Sequence, residues 1–129
     1  KALRETLLAA PSISYSTGPS GLALARLFQD LGLGKTLESR IIQPPPGIPV
    51  GSLVARGEVA LGFQQLSELM HLEGITVLGA LPAEIQIITT FSGALCPATK
   101  NAEAARAFLA FLASPETAEA KVRQGMEPA

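Results

Sequence analysis

The ten residues Ser-Ile-Ser-Tyr-Ser-Thr-Gly-Pro-Ser-Gly, at positions 12–21, decide how the rest of the 129-residue chain is arranged. Residues 12–16 have the composition of a short strand. Pro19 suits the first position of a helix, because its ring presets φ and its missing N–H would have no helical partner there. The stretch therefore predicts a strand that passes through a turn rich in glycine and hydroxyl groups directly into a helix.

The start of this helix is a candidate anion-binding site. The first turn of a helix offers free N–H groups and a partial positive charge. Gly18 and Gly21 would allow the backbone to approach a ligand closely. Ser16, Thr17 and Ser20 could bind that ligand by hydrogen bonds. The alternative is a plain strand-to-helix turn in which these hydroxyls only cap the helix. The sequence contains neither of the two glycine-rich phosphate-binding motifs, G-x-x-x-x-G-K-[ST] and G-x-G-x-x-G.

Composition and charge limit the possible functions. Hydrophobic residues make up 47% and charged residues 16% of the chain, which predicts one globular domain or a piece of one. The net charge of −1, the absence of Trp and the single Tyr argue against a nucleic-acid partner. No apolar run reaches the roughly 18 residues that a membrane-spanning helix needs.

The reactive side chains do not form a recognisable catalytic or metal-binding pattern. Cys96 is the single cysteine, and its apolar neighbours predict a small buried hydrophobic residue. The single histidine, His71, is expected to end a helix. The 11 carboxylates are expected to lie on solvated helix faces or turns. We therefore expect no metal, no cofactor and no enzymatic activity, and we expect the chain to bind a small molecule.

The order of elements predicts an α/β fold. Strands and helices alternate, which favours a mostly parallel sheet with helices on both faces. Pro44–Pro49 is predicted to be a rigid connector, with a polyproline ligand as the alternative. The predicted helices cover residues 2–10, 19–32, 50–56, 64–70, 101–113 and 115–125. The predicted strands cover residues 12–16, 40–43, 59–63, 75–78 and 85–91.

A second group of polar residues follows the strand predicted at 59–63. In parallel sheets, ligands bind beyond the carboxyl ends of the strands, where the helices begin. Gln64 and Gln65 occupy such a position and carry no charge. Amide groups are better suited to holding a ligand by hydrogen bonds than to transferring protons. Gln64 and Gln65 are therefore candidate ligand-binding residues together with those at positions 16–21.

Three segments resemble molybdate-type solute-binding proteins of ABC transporters. The run Gly-Ser-Leu-Val-Ala-Arg-Gly-Glu-Val-Ala-Leu-Gly-Phe at 51–63 is similar to the family's segment of helix, R-G-E and apolar strand. Residues 104–116, followed by Gly-Met-Glu-Pro at 125–128, resemble its C-terminal helices. Pro-Ser-Gly at 19–21 is similar to the family's P-A-G at a helix start. The resemblance covers almost all of the chain, in the same order.

The resemblance implies a type 2 periplasmic-binding fold, with two α/β lobes and a ligand held between them. By this analogy residues 1–129 are a single fragment that lacks the first lobe. Residues 12–80 would form the second lobe, and residues 81–97 would return across the hinge as a strand. Residues 98–129 would be C-terminal helices that pack on the missing first lobe.

The resemblance also implies ligand contacts at two positions. In molybdate binders a backbone N–H just before P-A-G points at the oxyanion, and Gly18 stands at this position. A tyrosine hydroxyl completes the contact in that family, whereas Gln65 stands at the matching position here. The ligand is therefore expected to be a molybdate-like oxyanion, a carboxylate or another small polar solute.

The expected function is that of a solute-binding component of an ABC transporter, periplasmic or extracellular, with the transporter permease as a partner. The alternative is a ligand-sensing domain of a transcriptional regulator with the same fold. An enzyme on this fold would be expected to carry a charged or activated residue at 18–21 or 64–65, and none is present. The apolar face formed by Ala105, Phe108, Leu109 and Leu112 would lack its cover, so the fragment is expected to self-associate.

Overall fold

The computed structural model describes residues 1–128, which fall into two compact units. The first unit is Lys1–Ile88, and the second begins at Thr89. The helices and strands of the first unit are α1 (Ala2–Ala9), β1 (Ile13–Tyr15), α2 (Pro19–Asp30), α3 (Gly34–Leu37), α4 (Val50–Ala55), β2 (Leu61–Phe63) and α5 (Leu66–Leu69). The second unit contains α6 (Ala102–Ala113) and α7 (Ala118–Arg123). Short 3-10 turns cover Glu38–Arg40, Ala83–Ile85 and Pro115–Thr117.

The sheet of the first unit is small and parallel. Strands β1 and β2 pair with Ile13 opposite Leu61 and Tyr15 opposite Phe63. Ile41 adds a single parallel bridge to Ile13 on β1. The mixed α/β class and the parallel pairing agree with the sequence prediction, although the sheet has fewer strands than predicted.

Helices pack on both faces of this sheet. On one face, Phe28 of α2 contacts Tyr15 and Phe63 edge to face, with ring centroids 5.9 and 5.8 Å apart. On the other face, a side chain at Gly62 would collide with Val50 of α4. Burial of Phe28 alone stabilises the fold by roughly 1.5–3 kcal/mol. The core on the α2 side consists of Leu7, Ala10, Ile13, Leu24, Phe28, Leu33 and Leu37.

Two arginines hold α1 against its neighbours through backbone carbonyls. The Arg40 guanidinium donates to the carbonyl oxygens of Leu8 at 2.7 Å and Ala10 at 3.3 Å. Arg4 donates to the carbonyl oxygen of Leu31, at the end of α2, at 2.6 Å. The last carbonyls of a helix have no partner within the helix, so these charged donors satisfy them.

The R-G-E segment ends α4 in a Schellman motif. Gly57 has φ +72°, and its N–H donates to the Val54 carbonyl at 2.9 Å. The Glu58 N–H donates to the Leu53 carbonyl at 3.0 Å. The Arg56 Nε donates to Glu58 Oε1 at 2.6 Å, and this hydrogen bond lowers the pKa of Glu58 and raises the pKa of Arg56. The segment therefore turns the chain from α4 toward β2.

Two predicted strands are absent, and a third is reduced to a single bridge. Residues 75–78 and 85–91 form no strand, and residues 40–43 contribute only the bridge at Ile41. The β-branched residues at 85–91 predicted a strand because they fit a pleated, half-buried surface, but such a preference produces a strand only where a partner strand is available. Here Ile85 ends a 3-10 turn, and Ile87 packs against the core as a half-buried side chain.

One single-residue prediction in the second unit is also wrong. Cys96 is exposed instead of buried, because it lies in a segment without regular secondary structure. The side chain of Ser114 makes no capping hydrogen bond to the 3-10 turn that follows it. Its hydroxyl instead donates to the Phe111 carbonyl at 2.7 Å and satisfies the end of α6. All carboxylates are exposed, as predicted.

Candidate functional site

The structure brings the two predicted parts of the site to one edge of the sheet. Tyr15 and Phe63 are register partners and end their parallel strands side by side. Ser16 and Gln64, the next residues along each strand, therefore leave the sheet at the same level. This edge is where the carboxyl ends of parallel strands place ligands in open α/β sheets.

The start of α2 presents backbone donors that nothing in the described chain uses. Gly18 is the N-cap, and its carbonyl accepts the Leu22 N–H at 3.0 Å. No side chain caps the helix, and Pro19 has no N–H. Among the described residues, the N–H groups of Gly18, Ser20 and Gly21 make no hydrogen bond. Three donors therefore lie at the positive end of a 12-residue helix.

The hydroxyls at this turn form a pair. Ser16 Oγ and Ser20 Oγ lie 3.3 Å apart, so one hydroxyl donates to the other. The accepting hydroxyl keeps its own proton for a further partner. Both residues are half-buried, whereas Thr17 between them is exposed. Ser16 and Ser20 are thus oriented toward each other at the helix start, and Thr17 takes no part in the pair.

The two glycines of the turn have different roles. A side chain at Gly21 would lie 1.6 Å from the Ser16 carbonyl oxygen, so Gly21 allows the chain to approach itself. The close approach of Ser16 explains the glycine at position 21, and ligand contact at Gly21 stays a prediction. Gly18 has an extended conformation that any residue adopts, with φ −78° and ψ −174°. A side chain there would meet only Ser16 Oγ, at 3.8 Å, so packing within the chain does not require glycine at position 18.

One end of the Gln64 side-chain amide is already hydrogen-bonded within the chain. Gln64 Oε1 accepts the backbone N–H of Gly51 at 3.0 Å, near the start of α4. Gln65 is the N-cap of α5, and its carbonyl accepts the Glu68 N–H at 3.0 Å. Both glutamines are half-buried. Gly51 was not identified from the sequence. The one signal in the sequence is that Pro49, the N-cap of α4, offers no side-chain acceptor, which leaves the first N–H groups of α4 open to a distant acceptor.

Other features of the described chain do not involve the predicted site residues. An open cleft of about 410 Å³ is lined by Tyr15, Phe28, Lys35, Glu38 and their neighbours, and it contains none of the predicted site residues. Within residues 1–128, no group of three or more His, Cys, Asp or Glu side chains is placed to hold a metal ion. In the same part of the chain, no helix is long and apolar enough to cross a membrane.

Residues 1–127 match the protein family described as bacterial extracellular solute-binding protein. The chain belongs to this family. The predicted solute-binding family is therefore confirmed at this level, and the molybdate type within it is not distinguished by the match. The extracellular description of the solute-binding family agrees with the expected location in its coarse form.

A curated relative is similar to nearly the whole chain. It is an aconitate isomerase from a Pseudomonas species, 44% identical over 130 residues that cover 98% of this chain and 48% of the relative. The chain thus spans about half the length of this relative. No solved structure matches the chain significantly.

The expectation that the protein is not an enzyme is contradicted by this relative, which is named for an enzymatic activity. That expectation rested on the lack of a catalytic pattern among the reactive side chains and of a charged or activated residue at positions 18–21 or 64–65. The chain spans only about half of the relative, so a proton-transferring group need not lie within it. Neutral hydroxyl, amide and backbone N–H groups can still hold a charged substrate in place.

Proposed function

We propose that the start of α2 and the side chain of Gln64 form one wall of a carboxylate-binding site, and that the protein isomerises aconitate. The observation that carries this proposal is the set of three unpaired N–H groups at Gly18, Ser20 and Gly21, beside the paired hydroxyls of Ser16 and Ser20. A carboxylate accepts several hydrogen bonds at once and is stabilised by the positive end of a helix.

Aconitate suits such a wall because it carries three carboxylates. One carboxylate would accept hydrogen bonds from the start of α2, and a second would reach the amide of Gln64 at the same edge of the sheet. Hydrogen bonds to an ionised group are each worth about 1.5–3 kcal/mol. Two or three of them at this edge would account for a substantial part of micromolar binding, which corresponds to about 8 kcal/mol.

The groups at this edge bind and orient a substrate. Isomerisation of an unsaturated acid needs a group that moves a proton to or from carbon, and hydroxyls and amides are weak in that role. We propose that another part of the protein supplies the proton-transferring group, and that this lobe fixes the carboxylates. Orientation of this kind lowers the barrier by holding the reacting atoms in a productive geometry.

The second candidate function is capture of a solute without turnover, as a binding component of an ABC transporter. The observation in its favour is the match of residues 1–127 to the solute-binding family. The same unpaired N–H groups would also suit a molybdate-like oxyanion. A periplasmic location and a permease partner belong to this second proposal. Neither the described residues nor the comparisons favour the transcriptional-regulator alternative.

One experiment separates the two functions. The full natural protein that carries this sequence is titrated by calorimetry with cis-aconitate, trans-aconitate, molybdate and phosphate. The same samples are then followed by proton NMR to detect conversion of one aconitate isomer into the other. Binding with conversion supports the isomerase, and binding without conversion supports solute capture. Binding of molybdate alone would contradict the carboxylate proposal.

A further inference from the structure

We propose that Gln64 is a specificity-determining residue that presents only hydrogen-bond donors to the ligand, because the fold occupies its acceptor. This inference rests on the proposed function, in which Gln64 belongs to the carboxylate-binding wall. It adds a mechanism by which the site accepts anions and rejects ligand groups that are themselves donors.

The first step is the hydrogen bond that fixes the amide. Gln64 Oε1 lies 3.0 Å from the backbone N of Gly51. A backbone N–H is always a donor, so the atom facing it must be the amide oxygen and not the amide nitrogen. The orientation of the Gln64 amide is therefore determined by chemistry, and not by a choice between two equivalent flips.

The second step is that reversal of this amide orientation would lower the stability of the fold. Gly51 is buried, and a side chain there would lie 2.6 Å from Leu72 Cδ2 and 2.9 Å from Leu69 Cδ2. These leucines cover Gly51. The α4 N-cap, Pro49, supplies no side-chain acceptor. If Gln64 turned its amide over, the Gly51 N–H would lose its partner in a buried position.

The third step concerns the other end of the amide. The NH2 group projects from the same planar carbon as the oxygen, so it points away from Gly51. It makes no hydrogen bond with the described residues, and it is not a buried unpaired atom, so it is open to a partner. The side-chain oxygen of Gln64 thus faces the covered Gly51, and its NH2 donors remain open at the same edge of the sheet as the start of α2. The start of α2 and the Gln64 amide thus both present hydrogen-bond donors, which suits an anion.

The test replaces Gln64 by its isosteric acid, Gln64→Glu, in the full natural protein. One carboxylate oxygen of the new side chain can still accept the Gly51 N–H, so the melting temperature should change little. The other oxygen would face the ligand as a charged acceptor and repel a carboxylate. We expect the affinity for aconitate, measured by calorimetry near pH 7, to fall about 100-fold or more.

The matched control is Gln86→Glu. Gln86 is exposed, and its Oε1 also accepts a backbone N–H, that of Ile87 at 3.3 Å. It undergoes the same change of charge, and we expect aconitate affinity within about twofold of the wild type. A second variant, Gln64→Leu, removes the acceptor and should lower the melting temperature, which Gln64→Glu should not do.

The outcomes separate this inference from the proposed function. If the wild type binds aconitate and Gln64→Glu binds it equally well, Gln64 only caps α4 and the inference is wrong, whereas the proposed function stands. If the wild type does not bind aconitate, both are overturned. If both glutamate variants lose affinity equally, net charge explains the loss, and the inference is again wrong.

Discussion

Ser14 and Gly62 are partners in the parallel register of β1 and β2, and the Ser14 hydroxyl is fully buried with no hydrogen-bond partner. Register partners lie on the same face of a sheet. The face at Gly62 is covered by Val50 and Val54 of α4, so the side chain of Ser14 lies on the face of the sheet that this apolar helix covers. An unpaired buried hydroxyl is destabilising, because it loses its hydrogen bonds to water without replacement.

The Ser14→Ala variant should therefore be more stable than the wild type. Removal of the unpaired hydroxyl should raise the free energy of unfolding by about 1 kcal/mol, as measured by urea denaturation. The control is Ser39→Ala at an exposed position, where we expect a change within about 0.5 kcal/mol. A loss of stability in Ser14→Ala would mean that this hydroxyl has a partner in solution.

A side chain at Gly57, in the turn after α4, should lower the free energy of unfolding. Its φ of +72° is unfavourable for any residue with a Cβ, and no atom lies within 4 Å of the position that a Cβ would take. The Gly57→Ala variant should lose about 1–2 kcal/mol of stability through backbone strain alone. Gly57→Asn should lose less, because asparagine tolerates this conformation better. Equal losses in the two variants would contradict the assigned turn.

The same substitution at the two glycines at the start of α2 should affect different properties, which are folding at Gly21 and ligand affinity at Gly18. Gly21→Ala should prevent normal folding, since the new methyl group would overlap the Ser16 carbonyl. Gly18→Ala should fold with wild-type stability, because its backbone conformation and surroundings accept a side chain. We nevertheless expect it to bind aconitate at least about tenfold more weakly, since the methyl group would obstruct a ligand at the free N–H groups. Unchanged affinity in Gly18→Ala would place the ligand elsewhere.

The isolated 129-residue chain should self-associate through α6. Phe108 is 60% exposed and Leu112 is 40% exposed, and burial of such apolar surface favours association. Light scattering of the isolated chain should therefore show a mass above that of the monomer. Phe108→Lys should reduce this mass, whereas Ala110→Lys, with the same charge on the same helix, should not. A monomer at high concentration would show that the prediction is wrong.

Local signals in the sequence were sufficient to predict the unit formed by β1 and α2. The strand at 12–16 and the helix start at Pro19 were predicted from residues close together in the chain, and the helix that follows buries Leu24 and Phe28 at helical spacing. These features are set by proline geometry and by the helical repeat of apolar residues. The edge shared by Ser16 and Gln64 also followed from the expectation of a parallel sheet.

Features that depend on distant partners could not be predicted in this way. The Gln64 amide is fixed by Gly51, 13 residues earlier, and nothing in the local composition identifies that pair. Residues 85–91 have a strand composition, but a strand also needs a neighbouring backbone with which to pair. The role of Gly21 became clear only when the Ser16 carbonyl was located beside it. The prediction of no enzymatic activity was wrong because it rested on residues that span only about half of the relative's length.

The most direct test of the carboxylate-binding wall is a titration of the isotope-labelled full natural protein with aconitate, followed by amide NMR. We expect the largest shift changes at the backbone N–H groups of Gly18, Ser20 and Gly21 and at the side-chain NH2 of Gln64. These are the donors that the fold leaves unpaired at one edge of the sheet. Saturable binding that leaves all four signals unchanged would contradict the account.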